Sequence, residues 1–152
     1  MKQVDEIFYD ALLADESLMT LIGGKGRVTS TCFEVPPDMD DQTPLPNIII
    51  TDNGFTNNES TKDTVWEGSE DIVQVGVDVA GRSTNEVKTI IRKVRLAIGR
   101  HIASLYNDGE ETPELESLTS EGVAWDWMKP CYYQKLIYQC IINNTEDDEQ
   151  ED

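Results

Sequence analysis

One histidine, three cysteines and twelve basic side chains are all that 152 residues provide of those types, and each scarcity narrows the chemistry on offer. Cys32, Cys131 and Cys140 are odd in number and lack metal-ligand spacing, which predicts reduced, partly buried thiols. His101 falls in the last turns of a predicted helix, where a positive imidazole suits the carbonyl end, so a helix-end role is expected of it. No run approaches the roughly 18 uncharged apolar residues that a membrane span needs, and the opening Met1 to Glu6 has no apolar signal region behind it. A soluble chain, not exported by that route, is the expectation. Basic charge is the most conspicuous shortage: thirty acidic side chains against twelve basic ones leave a formal net charge of −18. A body this acidic repels phosphate, which works against sequence-independent nucleic-acid binding.

Six acids crowd into residues 146–152, a run expected to be a disordered, solvated tail behind a single domain over residues 1–145. Half of the basic side chains, by contrast, fall within Arg82 to Arg100. Lys88, Arg92 and Arg95, at i, i+4 and i+7, make one row along a predicted helix.

The region from Asp71 to Leu105 organises the fold. Val73, Val75, Val77 and Val79 alternate with polar or small residues, as in a strand with one buried face. Ser83 followed by Glu86 reads as a capping box opening a helix. Val87, Ile90, Ile91, Val94, Ala97, Ile98, Ile102 and Leu105 then recur at steps of three and four, an apolar stripe about five turns long.

Ahead of this region, Val4, Ile7, Phe8, Ala11 and Leu12, then Leu18, Leu21 and Ile22, predict a helix, a break capped by Asp15, and further helical turns closed by Gly23-Gly24. Arg27 to Val35 reads as a strand and residues 36–44, rich in Pro and Asp, as a surface loop. Asn47 to Asp52 reads as a buried strand and Asn53 to Asp63 as an exposed loop joining strands. Residues 64–68 are expected to start the next strand or lead into the Asp71 one. Beyond Leu105, residues 107–113 read as a loop; Leu115 to Met128 shows a strand only near its end, around Val123, Trp125 and Trp127. Tyr132 to Ile142 reads as the closing strand. The predicted class is α+β: a mostly antiparallel sheet, with an N-terminal helix and a long amphipathic helix on one face.

No catalytic, cofactor or metal constellation emerges. Asp38, Asp40 and Asp41 lack the alternating ligands, central glycine and distal glutamate of a calcium loop. Gly23-Gly24-Lys25-Gly26 follows a helix instead of a strand and lacks the Lys-Ser or Lys-Thr pair of a phosphate loop. Trp66, Trp125, Trp127, Tyr132, Tyr133 and Tyr138 are expected in core or interface roles, since acidity argues against a base-stacking platform. The row Lys88, Arg92 and Arg95 is read either as a solvated helix face or as a surface that meets an acidic patch of another protein or another copy.

The order of elements resembles the tail completion and tail terminator proteins of long-tailed bacteriophages and prophages. The resemblance rests on the opening helix through Gly23-Gly24, the strand and proline-containing loop, Pro44 to Ile50, the Val73 to Val79 strand, the amphipathic helix and the closing strand over Tyr133 to Ile142. It implies a small α+β domain without catalytic residues. It also implies a structural role: six copies forming a ring that stops tail-tube polymerisation and offers a surface to the head or neck. The expected partners are further copies of the chain, the tail-tube protein and neck or head-completion proteins, in the virion and, during assembly, the host cytoplasm. Genomic DNA would pass through the lumen without specific binding. Lys88, Arg92 and Arg95 are then the expected contact to Asp38, Asp40 and Asp41 of a neighbour. The acidic segment Asn107 to Pro130 and residues 146–152 depart from the family pattern. Three other classes remain: another neck or connector component, an acidic DNA-mimic inhibitor, and a small enzyme whose site the sequence does not show.

Overall fold

A computed structural model describes residues 2–30, 44–58 and 70–143. Its helices form where the apolar spacing places them. α1 spans Val4–Ala14 and α2 Glu16–Ile22. The break between them is made by Asp15, whose carboxylate accepts from the Leu18 backbone N–H at 2.9 Å and caps α2. Gly23, at φ 99°, closes α2 in the left-handed conformation, and the Gly23 and Gly24 N–H groups both donate to the Met19 carbonyl.

Six strands are present among the described residues: β1 Val28–Ser30, β2 Asn47–Asn58, β3 Glu70–Gly81, β4 Glu114–Ser120, β5 Ala124–Asp126 and β6 Cys131–Asn143. They form one sheet in the order β1-β2-β3-β6-β4. β3 pairs along one side of β6 from Tyr132 to Asn143, so β4 and β5 share the other side. All pairings are antiparallel except β1 with β2, which is parallel. The chain is α+β.

α3, Thr84–Asn107, is the central helix. Ser83 Oγ accepts from the Glu86 N–H at 3.1 Å, as a capping box requires. The reciprocal bond is displaced by one residue: Glu86 Oε1 accepts from the Arg82 N–H at 2.8 Å instead of from Ser83. Val87, Ile90, Ile91, Val94, Ala97 and Ile98 are buried, while Ile102 and Leu105 at the far end are half-buried. This stripe joins Phe8, Leu12, Leu18 and Ile22 from α1 and α2, and Ile48, Ile50, Val75, Val77, Val79 and Leu136 from the sheet, in one core. The helices therefore cover one sheet face. The other carries half-buried Ile49, Ile72 and Ile137 among Thr51, Gln74, Asp78 and Lys135.

Of the strand expected over Arg27 to Val35, Val28–Ser30 is strand, Arg27 instead ends a 3₁₀ turn, and residues 31–35 lie outside the described residues. Two further expectations need correction. Residues 53–58 of the loop expected over Asn53 to Asp63 are strand instead, because β2 continues to Asn58. Its Asn-Gly pair makes a bulge: Gly54, at φ 91°, donates its N–H to Asp52 Oδ1 at 2.8 Å. Pairing with β3 shifts register there and resumes at Phe55. Finally, β4 occupies a stretch that showed no strand pattern, since a second register shift between Leu115 and Ser117 disrupts its alternation. The region 59–69, including the residues expected to lead into β3, lies outside the described residues, as do 144–152.

Candidate functional site: a basic groove on the open sheet edge

β4 forms an edge of the sheet, and α3 runs alongside it without closing the gap. The result is a groove of about 630 Å³. Its floor comes from Leu115 and Leu118 of β4, Leu96 of α3 and Tyr138 of β6; Arg92 and Arg95 stand above it, with Glu116. The floor follows from register: Leu118 lies opposite Tyr138, and Leu115 opposite Cys140. Tyr138 is 4% exposed and meets Phe8 edge-on at 4.8 Å, which fixes the ring between core and groove. Burial pushes its hydroxyl pKa up to about 12, against the pull of the Arg95 charge, so the phenol stays protonated across the physiological range.

The basic side chains of the α3 region separate into two groups. Arg82 donates to the Leu45 carbonyl and lies 3.8 Å from Glu86. Lys93 Nζ donates to Ser17 Oγ at 2.7 Å, joining α3 to α2. These two act within the fold. Lys88, Arg92 and Arg95 are exposed, and no ion pair engages them among the described residues. Their acidic counterparts in the sequence reading, Asp38, Asp40 and Asp41, lie outside the described residues. The described residues on either side of them in sequence, Ser30 and Pro44, adjoin β1 and β2, and β1 is the far edge of the sheet from β4.

Other sequence candidates take structural positions. His101 is half-buried and borders a cavity of about 570 Å³ with Lys2, Asp10, Glu110 and Glu111, where Lys2 Nζ contacts Asp10 Oδ2 at 2.9 Å. No group of His, Cys, Asp or Glu suited to a metal ion occurs among the described residues. Gly23 and Gly24 are spent on ending α2. Cys131 and Cys140 are free and buried, and burial pushes the Cys140 thiol up to about 12 and raises Cys131 as well, which disfavours the thiolate form of both. Cys32 and Trp66 lie outside the described residues. No described helix is long and apolar enough to cross a membrane.

The aromatics divide unexpectedly. Tyr138 is core, but Trp127 and Met128 are 85% and 89% exposed at the tip of the β5–β6 hairpin, with Trp125 edge-on to both Trp127 and Tyr132. The groove itself is a finding that sequence reasoning missed. The two arginines were visible, whereas the leucines beneath them were not assigned to a strand. The signal available was the pair Leu115 and Leu118, once a bulge is allowed between them.

No family model matches the chain, and no curated protein matches it. Among solved structures, the chain is similar to one from the virion of a native gene transfer agent particle. The identity is 15%, over 93% of this chain and 95% of that chain, with a TM-score of 0.48.

Proposed function

We propose that this protein is a structural component of a phage-like virion, a tail terminator or tail completion protein that assembles into a ring and works without catalysis. The observation that carries the reading is the exposed pair Arg92 and Arg95 above the groove at the β4 edge, engaged by no ion pair among the described residues, with Lys88 one turn earlier on α3. In this reading they meet carboxylates of Asp38, Asp40 and Asp41, which lie in sequence between β1 and β2. Two different patches on opposite sides of a subunit make head-to-tail contacts, which close into rings when the rotation between copies permits. Complementary charge sets the register of such contacts more than it sets their strength.

The resemblance of the element order to tail terminators supports a ring that caps the tail tube and meets neck or head-completion proteins. Net acidity suits a lumen through which DNA passes, because adhesion to DNA requires phosphates to be neutralised. Six copies is the number that the resemblance implies.

Reversing Arg92 and Arg95 to Glu tests this. Both side chains are exposed, so the variant is expected to fold with unchanged helix content and to run as a monomer by light scattering where the unaltered chain forms a ring. A variant with the same oligomeric mass as the unaltered chain contradicts the proposed contact.

A further inference from the structure

We propose that the acidic segment 144–152 docks, in extended form, along the groove of its own chain, with its carboxylates on Arg92 and Arg95. Four features of the molecule converge on this occupant. The groove has an apolar floor and a basic rim, and Glu116 is the opposing charge among its lining residues. Among the described residues β4 pairs with β6 alone, so the backbone on its far side is open to an added strand. The described chain ends at Asn143, two residues past Ile141, which lies opposite Glu114 at the start of β4. Nine further residues extend to about 30 Å at 3.3–3.6 Å each, ample to turn back toward Tyr138, five residues behind Asn143. Lastly, Glu146, Asp147, Asp148 and Glu149 are consecutive. Alternate side chains of an extended segment face the same way, so every register along β4 offers two of these carboxylates to α3.

Exposed ion pairs are individually weak and screened by salt. Tethering compensates, because a short linker holds the segment at an effective concentration of about millimolar. A segment that binds only modestly as a free peptide is therefore bound most of the time in its own chain. The consequence for assembly rests on the ring reading: the segment occupies the arginines that a neighbour's Asp38, Asp40 and Asp41 would use, and a neighbour must displace it. The docking itself does not require the ring.

The test uses full-length chains at concentrations where light scattering gives a monomer. The probe is a fluorescent synthetic peptide of residues 144–152, followed by anisotropy at low salt. One variant carries Glu146→Gln, Asp147→Asn, Asp148→Asn, Glu149→Gln, Glu151→Gln and Asp152→Asn, which empties the groove without shortening the chain. The peptide is expected to bind this variant about tenfold more tightly than the unaltered protein, whose own segment competes. Adding Arg92→Gln and Arg95→Gln should abolish binding, and Arg100→Gln should not. Equal affinity for the two chains, binding that survives loss of both arginines, or no binding at millimolar peptide each overturns the proposal. Competition that fades as the unaltered protein is diluted assigns the segment to a second copy and overturns docking within one chain. A chain that never exceeds monomer mass yet gives the expected peptide pattern removes the ring and leaves the docking standing.

Discussion

The two edges of the sheet are built in opposite ways. At one, Val28 and Ser30 of β1 are 3% and 1% exposed, and α1 lies against the strand. At the other, β4 is seven residues long and exposed along its length except at half-buried Leu118. A free edge invites pairing with another chain, and proteins blunt the hazard with short edge strands, covering elements or charge. The β1 edge uses cover. The β4 edge has Glu114 and Glu116 but no covering element among the described residues, and α3 adds two arginines above an apolar floor. Among the described residues the β4 side is the more open of the two edges, and β1 is the better covered.

Truncations at the two edges should break that comparison if it is wrong. Ile50, fully buried in β2 and opposite Ser30 of β1, belongs to the core. Ile50→Ala is expected to cost about 2–5 kcal/mol by denaturant titration. Leu115 is 38% exposed in the groove, and Leu115→Ala should cost under about 0.5 kcal/mol while weakening self-association. Equal losses of stability at the two sites would mean that the β4 edge is as much core as the β1 edge.

Next in size is the start of α3, which aims the arginine row. Ser83→Ala removes the acceptor for the Glu86 N–H and should destabilise the chain by about 1 kcal/mol. The double variant Ser83→Ala, Glu86→Ala should lose more, since Glu86 separately accepts from the Arg82 N–H. If Ser83→Ala matches the unaltered chain in thermal unfolding, the cap contributes nothing.

A smaller effect lies on the sheet face away from the helices. Burial raises the Asp78 carboxyl above its ordinary 3.8, and Lys135, opposite in register, pulls it partly back. Its Oδ1 is buried without a hydrogen bond. A carboxyl whose folded pKa is raised binds its proton more tightly folded than unfolded, so stability falls as pH rises from the unfolded value through the folded one. Asp78→Asn is thus expected to stabilise by roughly 0.5 kcal/mol near pH 7, with the gain gone near pH 3, where both states of the native chain are protonated. A gain independent of pH would assign the effect to packing.

The smallest effect concerns the thiols. In a Cys32→Ser background, iodoacetamide at about pH 8 should leave Cys131 and Cys140 unmodified until the chain unfolds, because burial raises both thiols. Rapid labelling of Cys140 in the native protein would show that the β6 end of the groove opens.

Where one periodicity governed an element, the sequence was readable. The α3 stripe, the Asp15 and Ser83 caps and the Gly23 stop all stand where spacing and capping chemistry put them. Reading failed where a bulge interrupts alternation. Asn53-Gly54 carries turn chemistry, but that chemistry serves a bulge inside β2, and the shift between Leu115 and Ser117 hides β4. A one-residue insertion moves every later side chain to the other face, so a strand with an internal bulge looks like two fragments, neither long enough to show a period. The site suffered from the same cause: Arg92 and Arg95 were evident as a row, and the groove beneath them depends on the strand that could not be seen.

A charge exchange between the basic row and the acidic segment 38–41 tests the central claim most directly. One variant carries Arg92→Glu and Arg95→Glu, a second carries Asp38→Lys, Asp40→Lys and Asp41→Lys, and a third carries all five changes. Masses measured by light scattering should show monomers for the first two and recovery of the ring in the third, where attraction is restored with its sign reversed. A third variant that stays monomeric while remaining folded, or either of the first two assembling as the unaltered chain does, would contradict the account.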